Sequence, residues 1–447
     1  MLDRNLLMKC GRTARRMILR SMTAGALAAL MLGTAASADV KTADNGNTRV
    51  ITLVGDTDGG EEQDKEESLG LLSFFGNKDS SDTKDSDGTK DSDGTTCRSY
   101  LTGELVPVSI GRVRPIALMI ENDKDAVSWQ SGTSNASIIY EARVEGGITR
   151  LEALFEDYKD VEMIMPIRSC RPQFVYYSRE FKAFYGHYGQ VIYAVQLLQM
   201  PESYDMAGLP YGESGQTYTL NDASSAYSRD HSGVTGVYTN YEKLQRLIDS
   251  FGWDTSYPED YDGHYQFAED GKEVYLKDGK DALVVIPGFV SNHARFDYDE
   301  DTGLYLRSEF GNPQMDILNG KQLAFKNILI QIGPSVMLDD HYLFTDPVNE
   351  GKAGKGWYIT NGHAEPITWK KENWKKTDPI LDTVTSINYQ FDIRDCDFNI
   401  TRYYDSMGRE ITLNQGKTFV EVVREEDASK LVISDDPDID TYVIDGM

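Results

Sequence analysis

The sequence predicts an α+β protein in which an N-terminal α/β layered domain is followed by a β-rich, mostly antiparallel C-terminal domain. Two observations predict this class. Between residues 97 and 240, short apolar runs alternate with segments of helical periodicity, as in a layered fold. After about residue 280 the pattern becomes that of strands, with short alternating or apolar segments separated by turns. The length, 447 residues, is sufficient for two such domains.

The first 38 residues have the pattern of a cleavable secretory signal peptide. A basic region ends at Arg20, an uncharged apolar stretch covers residues 21–35, and Ala36-Ser37-Ala38 is a small-x-small cleavage site before Asp39. The apolar stretch is shorter than the roughly 20 residues that span a bilayer. We therefore expect an extracytoplasmic protein, secreted or associated with the cell envelope, whose mature chain has no transmembrane segment. Arg15-Arg16 leaves the Sec and twin-arginine routes both open.

Residues 39–96 are predicted to form a disordered acidic tether. The segment is polar and ends in two copies of the sequence KDSDGT, at residues 84–89 and 90–95, a composition that cannot bury a core. The predicted organisation is a signal peptide at 1–38, the tether at 39–96, the α/β domain at 97–240, a connecting segment with one helix at 241–280, the β-rich domain at 281–425 and an acidic tail at 426–447. Within the tail, residues 434–440 are expected to fray.

The elements of the first domain follow from hydrophobic periodicity. A continuous apolar run at 115–122 is typical of a strand buried on both faces. The predicted strands are 115–122, 137–144, 150–155 and 183–188, and the predicted helices are 171–181, 191–200 and, in the connecting segment, 241–251. The last helix is amphipathic and is followed by Gly252, a residue that favours helix termination.

The second domain is predicted from strand patterns. Residues 299–303 separate two alternating segments and end in Gly303, which indicates a hairpin loop. The predicted strands are 282–287, 293–298, 304–308, 327–333, 356–360, 367–370 and 418–423.

Charge excludes one class of partner. The formal net charge is −27, and without the first 38 residues 39 basic residues stand against 71 acidic ones. A polyanion such as nucleic acid is repelled by such a surface, so we expect no nucleic-acid partner.

Cysteine and histidine spacing indicates neither a metal site nor a cofactor. Cys97, Cys170 and Cys396 remain after cleavage, which leaves open one disulfide with a free thiol, or three thiols. None has CxxC spacing, and the six histidines are scattered without ligand spacing. We expect no bound metal and no cofactor.

Several blocks of sequence resemble the YerB-like lipoprotein family, whose N- and C-terminal domains are of unknown function. The blocks are residues 97–103, 114–120, 130–136, 139–150 (IYEARVEGGITR), 166–172 (PIRSCRP), 296–307, 327–330, 369–371 and 408–419. The resemblance covers about residues 97–425 and implies an exported, envelope-associated protein without implying a reaction. This chain departs from the family in having no lipobox, in a poor fit over residues 201–280, and in Cys170, which stands where a small residue is usual.

One constellation of residues is a candidate ligand-binding cluster. Two glycines after a strand allow the backbone to approach a ligand closely, and arginines next to a helix N-terminus favour an anion. If residues 138–145 form one strand, Glu141 and Glu145 lie on the same face and can pair with the arginines or help bind a ligand. The candidates are Glu141, Glu145, Gly146, Gly147, Arg150, Arg168, Arg171 and, as a general base, His187. Arginine–glutamate pairs that only stabilise the fold are the alternative.

Three functions fit these observations. The favoured one is a non-catalytic binding or scaffold protein that recognises wall glycan, wall peptide or an envelope protein, because no assembled catalytic motif is present. The alternative is an envelope hydrolase or transferase that uses Glu141 or Glu145 with the arginines. A third is a pair of structural domains that acts through protein contacts alone. Whether the chain is an enzyme stays open at this point.

Overall fold

The computed structural model describes residues 40–45, 48–53, 94–209, 212–213, 216–217, 221–347, 349–371 and 400–447. The predicted signal peptide, residues 54–93 of the predicted tether, and Cys396 lie outside these ranges. Residues 1–83 form one unit and residues 84–447 form a second, compact one. In the first unit the described residues pair as an antiparallel hairpin. The described part of the chain is mostly strands, with few helices.

Fifteen strands of the described residues lie before residue 282. They are β1 (Val40–Asn45), β2 (Thr48–Leu53), β3 (Thr96–Arg98), β4 (Leu105–Pro107), β5 (Ile116–Asn122), β6 (Ile138–Arg143), β7 (Thr149–Phe155), β8 (Phe184–His187), β9 (Asp205–Ala207), β10 (Gly212–Glu213), β11 (Gln216–Thr217), β12 (Ser228–Arg229), β13 (Val237–Tyr238), β14 (Gln266–Phe267) and β15 (Lys280–Asp281).

Sixteen described strands follow. They are β16 (Val284–Ile286), β17 (Arg295–Asp299), β18 (Leu304–Glu309), β19 (Asn312–Pro313), β20 (Met315–Asp316), β21 (Lys321–Gln322), β22 (Ala324–Phe325), β23 (Asn327–Gly333), β24 (Ser335–Met337), β25 (Leu343–Thr345), β26 (Gly354–Thr360), β27 (His363–Lys371), β28 (Thr401–Tyr404), β29 (Thr412–Leu413), β30 (Thr418–Arg424) and β31 (Val432–Ser434). Each strand predicted above overlaps one of these.

The helices are α1 (Val108–Gly111), α2 (Pro172–Glu180), α3 (Ile192–Leu198) and α4 (Tyr241–Phe251). The three predicted helices are confirmed. Proline at the first position of α2 is compatible with a helix start because its missing N–H has no partner there. The Asn240 side chain accepts from the Lys243 N–H at 3.1 Å at the start of α4, and Gly252 ends that helix at φ 65°. No described helix is long and apolar enough to cross a membrane.

A central sheet of eleven described strands contains segments of both predicted domains. Its order is β15-β27-β26-β23-β30-β6-β7-β5-β8-β9, and β28 also pairs with β27. Strand β30 lies between β23 and β6 and is parallel to both, with Phe419 beside Ile139 and Ile328. The two predicted domains therefore share one sheet, while their boundaries near residues 240 and 281 stay predictions.

Different elements cover the two faces of the central sheet. On one face Tyr140 and Leu154 share a buried cluster with Phe174 of α2 and Leu197 of α3. On the other face a second sheet of six described strands, in the order β19-β18-β17-β16-β31 with β22 on β18, contributes to another cluster. Strands β5 and β7 are buried along their whole length, as the apolar run at 115–122 predicts for β5.

Residues on both sides of the segment that is expected to fray are packed. Strand β31, which ends at Ser434, pairs with β16, and Ile444 is fully buried. Fraying of residues 434–440 themselves stays a prediction.

Phe419 provides a test of the shared sheet. Its ring centroid lies 5.1 Å from that of Phe296 and 4.9 Å from that of Phe325, so it joins β30 to the second sheet. We expect Phe419→Ala to lower the free energy of unfolding by about 3–5 kcal/mol, because a fully buried ring is replaced by a cavity. Urea denaturation measures the loss. Met407→Ala is the control, since Met407 is 69% exposed. Equal losses of unfolding free energy in the two variants would contradict the role of Phe419 in joining β30 to the second sheet.

Candidate functional site

The Gly146-Gly147 turn connects two antiparallel strands of the central sheet. Strands β6 and β7 pair up to Arg143 and Thr149, and Glu145–Gly147 form the tight connection. The two glycines have φ values of 69° and 80°, a left-handed conformation that side chains disfavour. The predicted glycine turn is therefore present, and it places Glu145 two residues after the end of β6.

Glu145 and Arg171 form one ion pair beside this turn. Arg171, the residue before α2, donates from Nε to Glu145 Oε2 at 2.7 Å, and its Nη2 also bonds the other carboxylate oxygen. Burial alone would raise the pKa of Glu145, but the hydrogen bond and charge of Arg171 hold it below its ordinary value. The anion expected near this helix N-terminus is thus supplied by the protein itself.

Arg150 and Arg168 share a second carboxylate, Glu121, which the sequence did not suggest. Register places Glu121 of β5 opposite Arg150 of β7, with Nη2 and Oε1 3.3 Å apart. Arg168 bonds the other oxygen of Glu121. Arg150 also donates to the Ser169 carbonyl at 2.9 Å. Burial, followed by repulsion from Arg171, lowers the pKa of Arg150 to about 9.

Glu141 lies apart from Glu145, which corrects the expectation that they share a strand face. Strand β6 ends at Arg143, so the alternation does not extend to Glu145. Glu141 is fully buried and pairs with Arg307 of the second sheet. It also accepts from Asn292 Nδ2 at 2.8 Å and from Asn122 Nδ2 at 3.1 Å.

Arg307 is the centre of a buried network between the two sheets. Its Nη1 lies 3.1 Å from Glu309, and Glu421 of β30 is the register partner of Glu141. Burial alone would lower the pKa of Arg307, but Glu141 and Glu309 raise it above its ordinary value. Burial raises the pKa of Glu309 and, with help from Glu141, that of Glu421. The network therefore favours a charged guanidinium beside carboxyl groups of which two resist ionisation.

His187 is positioned as a structural side chain, although the sequence made it the best general-base candidate. It is fully buried, with Nε2 2.7 Å from Asp205 Oδ1 and Nδ1 2.9 Å from the Gly189 carbonyl. Both ring nitrogens are thus occupied by internal partners. Cys170 is also buried, and burial raises the pKa of its thiol far above the ordinary value, so it is not an activated nucleophile.

A pocket of about 490 Å³ opens at the end of β5. Its lining comes from both halves of the chain: Asn122, Asp123, Lys124, Asp125, Ile148, Ser291, His293, Phe310 and Tyr442. Asn122 and Ile148 are the chain neighbours of Glu121 and Gly147, which places the pocket at the strand ends that carry the arginine–glutamate pairs. Of the sequence blocks singled out above, only residues 139–150 contribute a lining residue, Ile148.

Tyr442 is a solvent-accessible aromatic residue of the pocket lining. The side chain is 50% exposed, and its ring centroid lies 4.3 Å from that of His293. The imidazole Nε2 of His293 is 2.8 Å from Asp445 Oδ1, which orients the ring. Within the described ranges, no group of three or more His, Cys, Asp or Glu side chains could hold a metal ion.

Comparison with known proteins places the chain in a family. Residues 101–254 match the model described as "Protein of unknown function (DUF3048) N-terminal domain", and residues 284–387 match that of the DUF3048 C-terminal domain. The chain is 27% identical over 278 residues to "Putative lipoprotein YerB" of Bacillus subtilis, covering 61% of this chain and 78% of that protein. The crystal structure of the B. subtilis YerB protein has a similar fold, with a TM-score of 0.58 at 23% identity, over 75% of this chain and 99% of that one.

Removal of Arg307 tests the buried network. We expect Arg307→Met to lower the free energy of unfolding by about 3–5 kcal/mol, because it leaves buried carboxyl groups without their cation. Urea denaturation measures this, and adding Glu141→Gln should restore part of the loss. Arg409→Met is the control: Arg409 is 68% exposed, and its pair with Asp405 should contribute at most about 1 kcal/mol. A loss no larger than the control's would refute the role of Arg307.

The buried carboxyl group of Glu152 is expected to make the free energy of unfolding depend on pH. It lies on β7 two residues after Arg150, is fully buried, and has no hydrogen-bond partner among the described residues. Burial, with a further contribution from Glu180, raises its pKa well above the ordinary value of 4.5.

The folded state therefore keeps the Glu152 proton at pH values where the unfolded state has lost it. Its contribution to stability is complete below pH 4.5 and falls as pH rises toward the folded-state pKa, by at most about 1.4 kcal/mol per pH unit. We expect Glu152→Gln to remove this slope, measured as unfolding free energy between pH 4.5 and 8. The exposed Glu425→Gln should leave it unchanged. An unaltered slope in Glu152→Gln would count against the assignment.

Proposed function

The chain belongs to the YerB-like family with DUF3048 N- and C-terminal domains, and from this premise we propose that it is an exported, non-catalytic binding protein of the cell envelope. The ligand class that we propose is wall glycan or wall peptide. A relative described as a lipoprotein supports an envelope location. The signal-peptide pattern of residues 1–38 supports export, with Asp39 as the first mature residue.

The pocket at the end of β5 carries this proposal. Aromatic rings such as those of Phe310 and Tyr442 stack on sugar rings or apolar peptide groups with little loss of conformational entropy. Carboxylates such as those of Asp123 and Asp125 accept hydrogen bonds from hydroxyl and amide groups. A volume of about 490 Å³ suits a sugar unit or a short peptide segment.

The ion pairing of Glu141 and Glu145 in the predicted cluster favours a binding function over hydrolysis. A glycosidase needs one carboxyl group that gives a proton and one carboxylate that attacks or activates water. Glu145 is neutralised by Arg171, and Glu141 is buried against Arg307. The pairs instead hold the strand ends that form the pocket edge. In this proposal the N-terminal half is an α/β layered domain, and the ends of its strands form that edge of the pocket.

Sedimentation with purified cell-wall sacculi tests the proposal. We expect the mature protein, residues 39–447, to co-sediment without releasing soluble fragments that chromatography detects. Tyr442→Ala should weaken binding by about five- to tenfold, because one stacking ring of about 1 kcal/mol or more is lost. Tyr275→Ala is a matched control, since Tyr275 is 54% exposed and is not part of the pocket lining.

Each other outcome has a definite meaning. Release of fragments would make the protein a hydrolase and overturn the non-catalytic assignment. Absence of co-sedimentation would exclude the wall as ligand and favour an envelope protein as partner. Equal binding by Tyr442→Ala and the native protein would show that the pocket is not the binding site.

A further inference from the structure

A second pocket, with a volume of about 450 Å³, brings three lysines together in an acidic chain. Lys321 lies on β21, Lys326 precedes β23, and Lys417 precedes β30. The chain has 45 basic residues against 72 acidic ones, so a pocket with more ammonium than carboxylate groups differs from its average surface. Three lining residues, Gln415, Gly416 and Lys417, belong to a block that the resemblance singled out (residues 408–419) and that the proposed function does not use.

The three lysines differ in the groups that their ammonium groups contact. The ammonium of Lys326 is 3.6 Å from a Glu273 oxygen and donates to Asn361 Oδ1 at 2.7 Å. Lys417 is half-buried and donates to the Ser134 carbonyl, which carries no formal charge. Lys321 is exposed and makes no ion pair with the residues that the structure describes. Two carboxylates stand near these two cations. Glu104 belongs to the pocket lining, and Asp316, the register partner of Lys321, already accepts hydrogen bonds from the backbone N–H groups of Gly132 and Ser134.

The environment of Lys417 disfavours the charged form of its ammonium group. Burial lowers its pKa, and repulsion by Lys321 lowers it further, while Glu104 and Asp316 act in the opposite direction. Because the two ammonium groups repel each other, an anion between them would relieve the repulsion and favour the charged form of Lys417.

The backbone of the loop keeps Lys417 at the pocket. Gly416 has φ 129°, a conformation that side chains rarely adopt, and a Cβ there would lie 2.9 Å from Cβ of Lys326. The loop is also fixed by hydrogen bonds from the Gly416 N–H to Thr102 and from the Lys326 N–H to the Lys417 carbonyl. The lysine side chain therefore starts from a constrained position.

We propose that this pocket binds a phosphate group, held between the ammonium groups of Lys321 and Lys417. A phosphate carries up to two negative charges near neutral pH and matches two ammonium groups, and lysine binds phosphate as a point charge. The group can belong to a soluble phosphate ester or to the headgroup of an anionic lipid. This site is separate from the aromatic pocket lined by Tyr442 and does not depend on the ligand proposed there.

Two binding measurements on residues 39–447 distinguish these sources. Isothermal titration with glycerol 1-phosphate tests the soluble ester, and flotation with phosphatidylglycerol vesicles, against phosphatidylcholine vesicles, tests the lipid headgroup. Binding in the first arm alone assigns a soluble ester, and binding in the second alone assigns a lipid; either supports the phosphate site. We expect Lys321→Gln and Lys417→Gln each to weaken binding by about tenfold.

Lys355→Gln is the matched control, because it removes the same charge from an exposed lysine outside the pocket. It should bind as the native protein does. Lys321 is exposed, so Lys321→Gln should keep the native unfolding midpoint and carries the test even if Lys417→Gln fails to fold. The proposal is overturned if neither probe binds, if Lys321→Gln binds like the native protein, or if Lys355→Gln weakens binding as much.

Discussion

The arrangement of the two sheets depends on one guanidinium group in a buried interface. Arg307 comes from the six-stranded sheet, and Glu141 comes from the central one; both side chains are fully buried. Removing such ions from water costs several kcal/mol each, which only close contact and further hydrogen bonds can offset. Asn292 and Asn122 provide those bonds to Glu141. Few relative positions of the sheets satisfy these contacts, so the network restricts how they pack.

The two faces of the central sheet carry different ion pairs at the same strand ends. On one face Glu121 neutralises Arg150 and Arg168, and on the other Glu141 meets Arg307. Side chains alternate between the two faces along each strand. Glu121 of β5 and Glu141 of β6 therefore point to opposite faces of the sheet. Together these pairs fix the strand ends from which the aromatic pocket opens. Internal pairing thus explains why a motif rich in Glu and Arg can be structural and yet border a binding surface.

The distribution of charge separates the two pockets. The aromatic pocket has carboxylates and rings, which suit neutral or cationic polar ligands, whereas the lining of the lysine pocket has three ammonium groups and two carboxylates. A protein with a net charge of −27 repels polyanions over most of its surface. Phosphate recognition by this chain therefore requires a local site, and the proposed one uses Lys321 of β21 and Lys417, which precedes β30.

Local patterns in the sequence determined the individual elements. The apolar run before Asn122 specified a buried strand, Pro172 and Gly252 mark the limits of helices, and Gly146-Gly147 specified a tight turn. Each depends on periodicity, capping or backbone freedom within a few residues, so it can be read without knowing the fold. The family was indicated separately, by blocks of sequence that resemble its members. The residue types beside the turn indicated the glutamates and arginines.

Tertiary structure alone decided which partner each charge would have. Arg307 lies 166 residues from Glu141, and Glu121 reaches Arg150 only through the register of β5 and β7. The insertion of β30 between β6 and β23 likewise brings distant segments side by side. Local periodicity is the same whichever strand lies alongside, because it reports burial and not the identity of a neighbour. The partners follow from strand order and register, which are set by packing of the whole core.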